Sequence, residues 1–167
     1  MPSKYALPSF LAGRCTPEAY VRWLSRKAVA HVKRDRQRGN STAKRETYMI
    51  AIHAAVVSGG GVDYYTGEAL AWEQISKYRN EESKARRRLY KRELAMLPTD
   101  DHTGDGLGTA DFQICAWRTN DCKNDLTHDE LITFAQTVIA HHERRCNSVQ
   151  TSTLSVNKPH NISEAWI

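Results

Sequence analysis

A chain of 167 residues, 40% apolar and 26% charged, has the length of one domain and enough apolar content for a core, which excludes a collagen-like or wholly disordered polypeptide. No window approaches the roughly 18 apolar residues of a membrane span. The start Met1-Pro2-Ser3-Lys4-Tyr5 lacks the apolar run of a signal peptide, so a cytoplasmic chain without a membrane partner is expected.

The net charge of +5 hides an asymmetry. Residues 1–93 hold 19 Lys/Arg and 9 Asp/Glu, and residues 94–167 hold 5 and 10. A basic half suits a polyanion such as nucleic acid, and an acidic half suits a hard cation. The plainer reading is a solvated basic surface. Cys15, Cys115, Cys122 and Cys146 form no Cys-x-x-Cys pair, so free thiols are expected and structural Zn²⁺ is not.

Thr16-Pro17-Glu18 starts a helix that runs to about residue 38, with Tyr20, Leu24, Ala28 and Val32 on one stripe and Trp23 beside it. A second helix is expected over 42–58, with Met49, Ile52 and Val56 buried and Gly59-Gly60-Gly61 as its stop. Lys33, Arg34, Arg36, Arg38, Lys44 and Arg45 crowd the elbow between them, either as a phosphate grip or as a solvated corner. Val62-Asp63-Tyr64-Tyr65 reads as a short strand. One basic helix is expected over 81–95, carrying Arg86, Arg87, Arg88 and Lys91, with Leu89, Leu94 and Met96 as its anchors.

Beyond Pro98 the pattern shortens. Thr99-Asp100-Asp101-His102 and Phe112 to Trp117 read as strands around a loop holding Gly104, Gly106 and Gly108. Arg118 to Lys123 reads as a helical turn. Thr127 and Glu130 form a capping box ahead of a helix with Leu131, Phe134, Ala135, Val138 and Ile139 on one face. Residues 147–167 read as an irregular tail. Trp72 and Trp117 are assigned to the core, and Asp100 to solvent.

A strand–loop–strand–helix hook would bring Asp101, His102 and Asn120 around one point. An anionic and an amide oxygen suit Mg²⁺, with Mn²⁺ as an alternative. His102, one residue on, faces the other side of a regular strand and would take a proton from water. Asp101-His102, then Asp111-Phe112-Gln113-Ile114-Cys115, then Thr119-Asn120-Asp121-Cys122-Lys123 resembles the HNH endonucleases of the ββα-metal, or His-Me finger, group. Tyr64-Tyr65-Thr66-Gly67-Glu68 resembles a Tyr-Thr-Gly element that precedes the hook in some members.

The resemblance implies an α+β fold, mostly helical, with a ββα-metal hook. It implies His102 as general base, and Asp101 and Asn120 as ligands of one divalent cation. Asp111 stands where the family has Asn; there it would pin the loop and raise the basicity of His102. Arg86, Arg87, Arg88, Lys91, Arg118 and Lys123 would contact the phosphates of duplex DNA. The implied activity is hydrolysis of DNA phosphodiesters, leaving 5′-phosphate ends. One hook cuts one strand, so cutting both would need a homodimer, a second visit or a partner. The rivals are an inactive DNA-binding module of the same fold and an RNA-cleaving nuclease. The expected division is a helical region over 1–61, a nuclease core over 62–146 and the tail over 147–167.

Overall fold

The computed structural model describes residues 4–155, with side chains over 4–147. Two compact units are present, Met1–Asn124 and Asp125–Ile167. The chain is α+β and mostly helical, with one two-stranded sheet among the described residues. Among the described residues no helix is long and apolar enough to cross a membrane.

In the first unit, α1 spans Pro17–Gln37. The Thr16 hydroxyl accepts from Ala19 N at 3.2 Å and Pro17 holds the first turn, so the start follows from side-chain capping. Its buried stripe is Tyr20, Trp23, Leu24, Ala28, His31, Val32 and Asp35; His31 and Asp35 continue the apolar spacing. Helix α2, Arg45–Gly59, buries Tyr48, Met49, Ile52 and Val56 and ends at Gly60, whose φ of 59° is left-handed. These helices pack together, and α2 also packs on the sheet. The boundary expected at residue 61 therefore falls inside this unit, because the N-terminal helices and the sheet share one core.

Tyr20, Trp23 and Trp72 lie at the centre of that core, with Trp23 edge-on to Trp72 at 5.3 Å. Each such side chain stabilises the fold by about 1.5–3 kcal/mol. Trp72 is core, as expected from the sequence. In the elbow, Arg36 donates to Ala43 O and Arg34 to His31, so much of that cluster ties the chain to itself.

The strand expected over 62–65 is instead a turn with one isolated bridge, Val62 to Ala69. The reason is Asp63. Its carboxylate accepts from Tyr65 N at 2.8 Å and Thr66 N at 3.0 Å, which curls the backbone away from a ladder. The single basic helix expected over 81–95 is broken at Arg87, where φ is 44°, into α3 (Asn80–Arg86) and α4 (Arg88–Glu93). Helix α3 buries nothing, and the Tyr90 hydroxyl accepts from Arg79 N at 2.5 Å, folding α4 back on the start of α3. Leu94 is buried and Met96 packs against the core, as expected; Leu89 is 60% exposed, and Tyr90 takes its place as an anchor.

Strands β1 (Pro98–His102) and β2 (Phe112–Ala116) pair antiparallel, Pro98 with Ala116 and His102 with Phe112. Helix α5, Trp117–Lys123, follows β2 with no intervening loop. In the second unit, α6 runs over His128–Ser155 behind the Thr127–Glu130 capping box. The helix continues where an irregular tail was expected from residue 147, since neither Gly nor Pro interrupts 147–155; the rest of that expected tail lies outside the described residues. Phe134, Val138 and Ile139 on α6 are exposed rather than buried.

Candidate functional site

Strand β1 alternates faces, which sets Asp100 and His102 on one side of the hairpin and Asp101 on the other. The side of Asp100 meets α1. Asp100 is 5% exposed, which corrects its assignment to solvent. Lys27 Nζ lies 2.9 Å and His31 Nε2 2.8 Å from its oxygens. Burial works to raise this carboxyl, and Lys27 and His31 overcome it, holding it well below the usual carboxylate range.

On the same side the His102 side chain is only 9% exposed. Its Nδ1 lies 3.0 Å from Gly104 O, and its Nε2 lies 3.5 Å from Asp35 Oδ2. Nε2 is buried with no hydrogen-bond partner among the described residues, a state that costs about 1–3 kcal/mol unless a ligand or water supplies one. The ring stands edge-on to Phe112 at 4.9 Å. Asp35 is itself buried, accepts from the Tyr48 hydroxyl at 2.6 Å and lies 3.7 Å from Arg38. Burial and then Asp35 push the Tyr48 hydroxyl up to about 12.

The loop between the strands is docked on this cluster. Asn40 donates to Gly106 O at 2.8 Å. Gly106 has φ of 79°, and a Cβ there would stand 2.8 Å from Asp35 Cγ. Gly106→Ala is therefore expected to combine left-handed strain with overpacking and to cost about 2–4 kcal/mol. Urea unfolding followed by tryptophan fluorescence checks it; an unchanged midpoint would mean that the loop does not seat on Asp35.

The other side of β1 meets α5. Asp101 is 7% exposed; Lys123 Nζ lies 3.2 Å from Oδ2, and the Tyr65 hydroxyl donates to the same oxygen. Burial first, and Asp101 second, raise the Tyr65 hydroxyl. Asn120 sits on α5 one turn before Lys123, half-buried, and its side chain makes no hydrogen bond among the described residues. Asp101 and Lys123 are thus brought together, while His102 faces away from them toward Asp35.

Asp111 is exposed, and its carboxylate accepts from Phe112 N at 2.9 Å. Its carbonyl accepts from Thr103 N at 3.2 Å, which closes the loop. The carboxylate beside His102 is Asp35, where Asp111 was expected, because α1 and not the loop supplies that wall.

One carboxylate and one amide oxygen fit a hard cation by donor chemistry. Asp101 and Asn120 are the residues that would hold it, and Lys123 is the cation already beside Asp101. No cluster of three or more His, Cys, Asp and Glu side chains placed to hold a metal occurs among the described residues.

Four of the six basic residues expected at phosphates are paired within the chain: Arg86 with Glu93, Lys91 with Asp121, Arg118 with Glu68 and Lys123 with Asp101. Lys123 is buried, so its expected phosphate contact would require the pair to open. Arg87 and Arg88 are exposed and make no ion pair among the described residues. Asp35, His31, Tyr48 and Asp63 were not singled out in the sequence. The signal that could have found the first two is spacing: His31 and Asp35 continue the buried stripe of α1 at i+4. Compared with protein-family models, curated proteins and solved structures, the chain finds no match in any of the three.

Proposed function

We propose that the chain is a divalent-cation-dependent endonuclease of HNH type that hydrolyses DNA phosphodiesters. The observation that carries this reading is the strand–strand–helix unit of residues 98–123. It sets a buried carboxylate and a nine-tenths-buried imidazole on adjacent residues of β1, with the amide-bearing α5 on the carboxylate's side.

In this reading His102 accepts the proton of the attacking water. The ring is held between the loop and α1: Nδ1 lies 3.0 Å from Gly104 O and 3.2 Å from Gly104 N, and Nε2 faces the Asp35 carboxylate at 3.5 Å. Asp35 acts through His102 as a positioning residue, held in turn by Tyr48. Asp101 and Asn120 would hold the cation, whose bound charge offsets that of the scissile phosphate and leaving oxygen. Lys123 must release Asp101 for that to happen. Arg87 and Arg88 would meet the phosphate backbone. A cytoplasmic setting accords with Cys15, Cys115, Cys122 and Cys146 all being free thiols.

The Lys123–Asp101 pair favours a second reading, a nucleic-acid-binding module whose hook no longer takes a cation. Incubation with supercoiled plasmid, single-stranded DNA and RNA in Mg²⁺, Mn²⁺ or a chelator decides. Nicked or linear plasmid in Mg²⁺ and intact plasmid in chelator are expected. Intact plasmid in every condition, with its mobility retarded, would replace the first reading by the second. Cutting of RNA alone would replace DNA as substrate.

A further inference from the structure

Away from the Asp101–His102 pair, the first unit carries two adjoining hollows of about 370 and 490 Å³ that share Arg26 and Ile75. Their walls differ in kind. The first is lined by Tyr78, Trp117, Leu97 and Pro98 and by the buried Trp23; Lys27 Nζ lies over the Trp23 ring at 5.9 Å and Lys91 Nζ over the Trp117 ring at 5.7 Å, which leaves Tyr78 as its open aromatic side. Tyr78 is 36% exposed and stands edge-on to Trp117 at 5.6 Å. Trp117, assigned to the core from sequence, is only half-buried and forms part of this wall.

The second hollow is faced by Arg22, Arg26 and Arg45, with Ser25 and Ser76. No carboxylate lines either hollow. Arg26 donates to Ile75 O at 2.8 Å and Arg45 to Ser25 Oγ at 2.8 Å. Each guanidinium has five N–H donors, so both are anchored while keeping donors for a ligand. Lys27 is different: it is spent on Asp100 and on Thr99 Oγ1.

We propose that these hollows form a nucleotide subsite, in which an unstacked base of a polynucleotide strand enters the aromatic hollow and its phosphate lies on Arg22, Arg26 and Arg45. A flat aromatic ring accepts the π-face of any base, and planar guanidinium forks match phosphate oxygens. An apolar peptide would fill the first hollow but bring no charge for three arginines. Arg26, at the join, touches both moieties. Thr99 lines the aromatic hollow and lies two residues before Asp101 on the same side of β1, about 7 Å away. That is about two nucleotides of a stacked strand. The substrate would then be a single strand or a locally opened duplex. The subsite rests on the reading of the partner as nucleic acid, not on the cleavage chemistry.

The test is fluorescence anisotropy of a labelled oligothymidylate at low salt in chelator, with heparin as a base-free polyanion in parallel. Tyr78→Ala is expected to weaken oligonucleotide binding about tenfold and to leave heparin binding unchanged, while Tyr78→Phe binds like the parent. Arg22→Gln, at an exposed position, is expected to weaken both ligands and to lower the salt slope by about one. Oligonucleotide affinity unaffected by Tyr78→Ala, or by Arg22→Gln, would overturn the subsite. Equal displacement by free thymidine monophosphate would overturn its assignment to a strand. Loss of cleavage with Tyr78-dependent binding intact removes the nuclease reading and keeps the subsite; cleavage with Tyr78-independent binding does the reverse.

Discussion

Asp63→Ala is expected to lower the stability of the first unit by about 3–5 kcal/mol, the cost of breaking a buried charged hydrogen-bond network. Asp63 is 1% exposed. One oxygen accepts from Ala116 N and Thr119 Oγ1, each at 2.7 Å; the other accepts from Tyr65 N and Thr66 N. Four donors therefore converge on one side chain. It fastens the 63–68 turn to the junction of β2 and α5, and the same turn carries Tyr65 to Asp101. Alanine would leave those donors without an acceptor, and two of them, Ala116 N and Thr119 Oγ1, are buried. Asparagine would restore one oxygen but turn its own N–H groups toward the remaining donors, so rescue by Asp63→Asn is expected to be partial. The predicted loss corresponds to a fall in Tm of about 10–20 °C. Thermal unfolding by circular dichroism measures it. A fall of less than about 3 °C would show that the turn is not held by this carboxylate.

The local signals in the sequence located what depends on neighbouring residues. Thr16-Pro17-Glu18 begins α1, Gly60 ends α2, and Thr127 with Glu130 caps α6. Alternation around Pro98–His102 and Phe112–Ala116 locates the hairpin. What local pattern misses is set by partners distant in the chain. Asp100 looks solvated beside Asp101, yet Lys27 and His31 reach it from α1. Asp35 looks like one more charge in a basic run, yet Tyr48 and His102 enclose it. Asp63 looks like a strand residue, yet it takes four donors. Arg87 sits in a strongly helical stretch, but with no buried stripe beneath it the stretch breaks and refolds on Tyr90. The apolar face of α6 shows the reverse failure, since a sound periodicity does not say whether anything covers the stripe.

His102→Ala is expected to reduce phosphodiester cleavage by about 10²–10⁴-fold, the range of a positioned general base, while binding of uncut strands in chelator stays within about twofold of the parent because the imidazole is not a phosphate contact in the proposed site. A thousandfold loss is about 4 kcal/mol of barrier. Instability could imitate it only if about one molecule in a thousand stayed folded, so a normal unfolding curve under assay conditions separates the two causes. Some destabilisation is expected, since the ring packs on Phe112 and faces Asp35. Tyr48 and Arg38 remain beside Asp35 in the variant, so that carboxylate keeps a hydrogen bond and a nearby positive charge. Asp35→Asn is the companion variant. It keeps the size of the side chain and an acceptor for Tyr48 but removes the negative charge facing His102, so cleavage should fall by less than in His102→Ala, and the two losses should not add because both act through one ring. Cleavage by His102→Ala at the parental rate would place the chemistry elsewhere, and losses that multiply in the double variant would remove Asp35 from its positioning role.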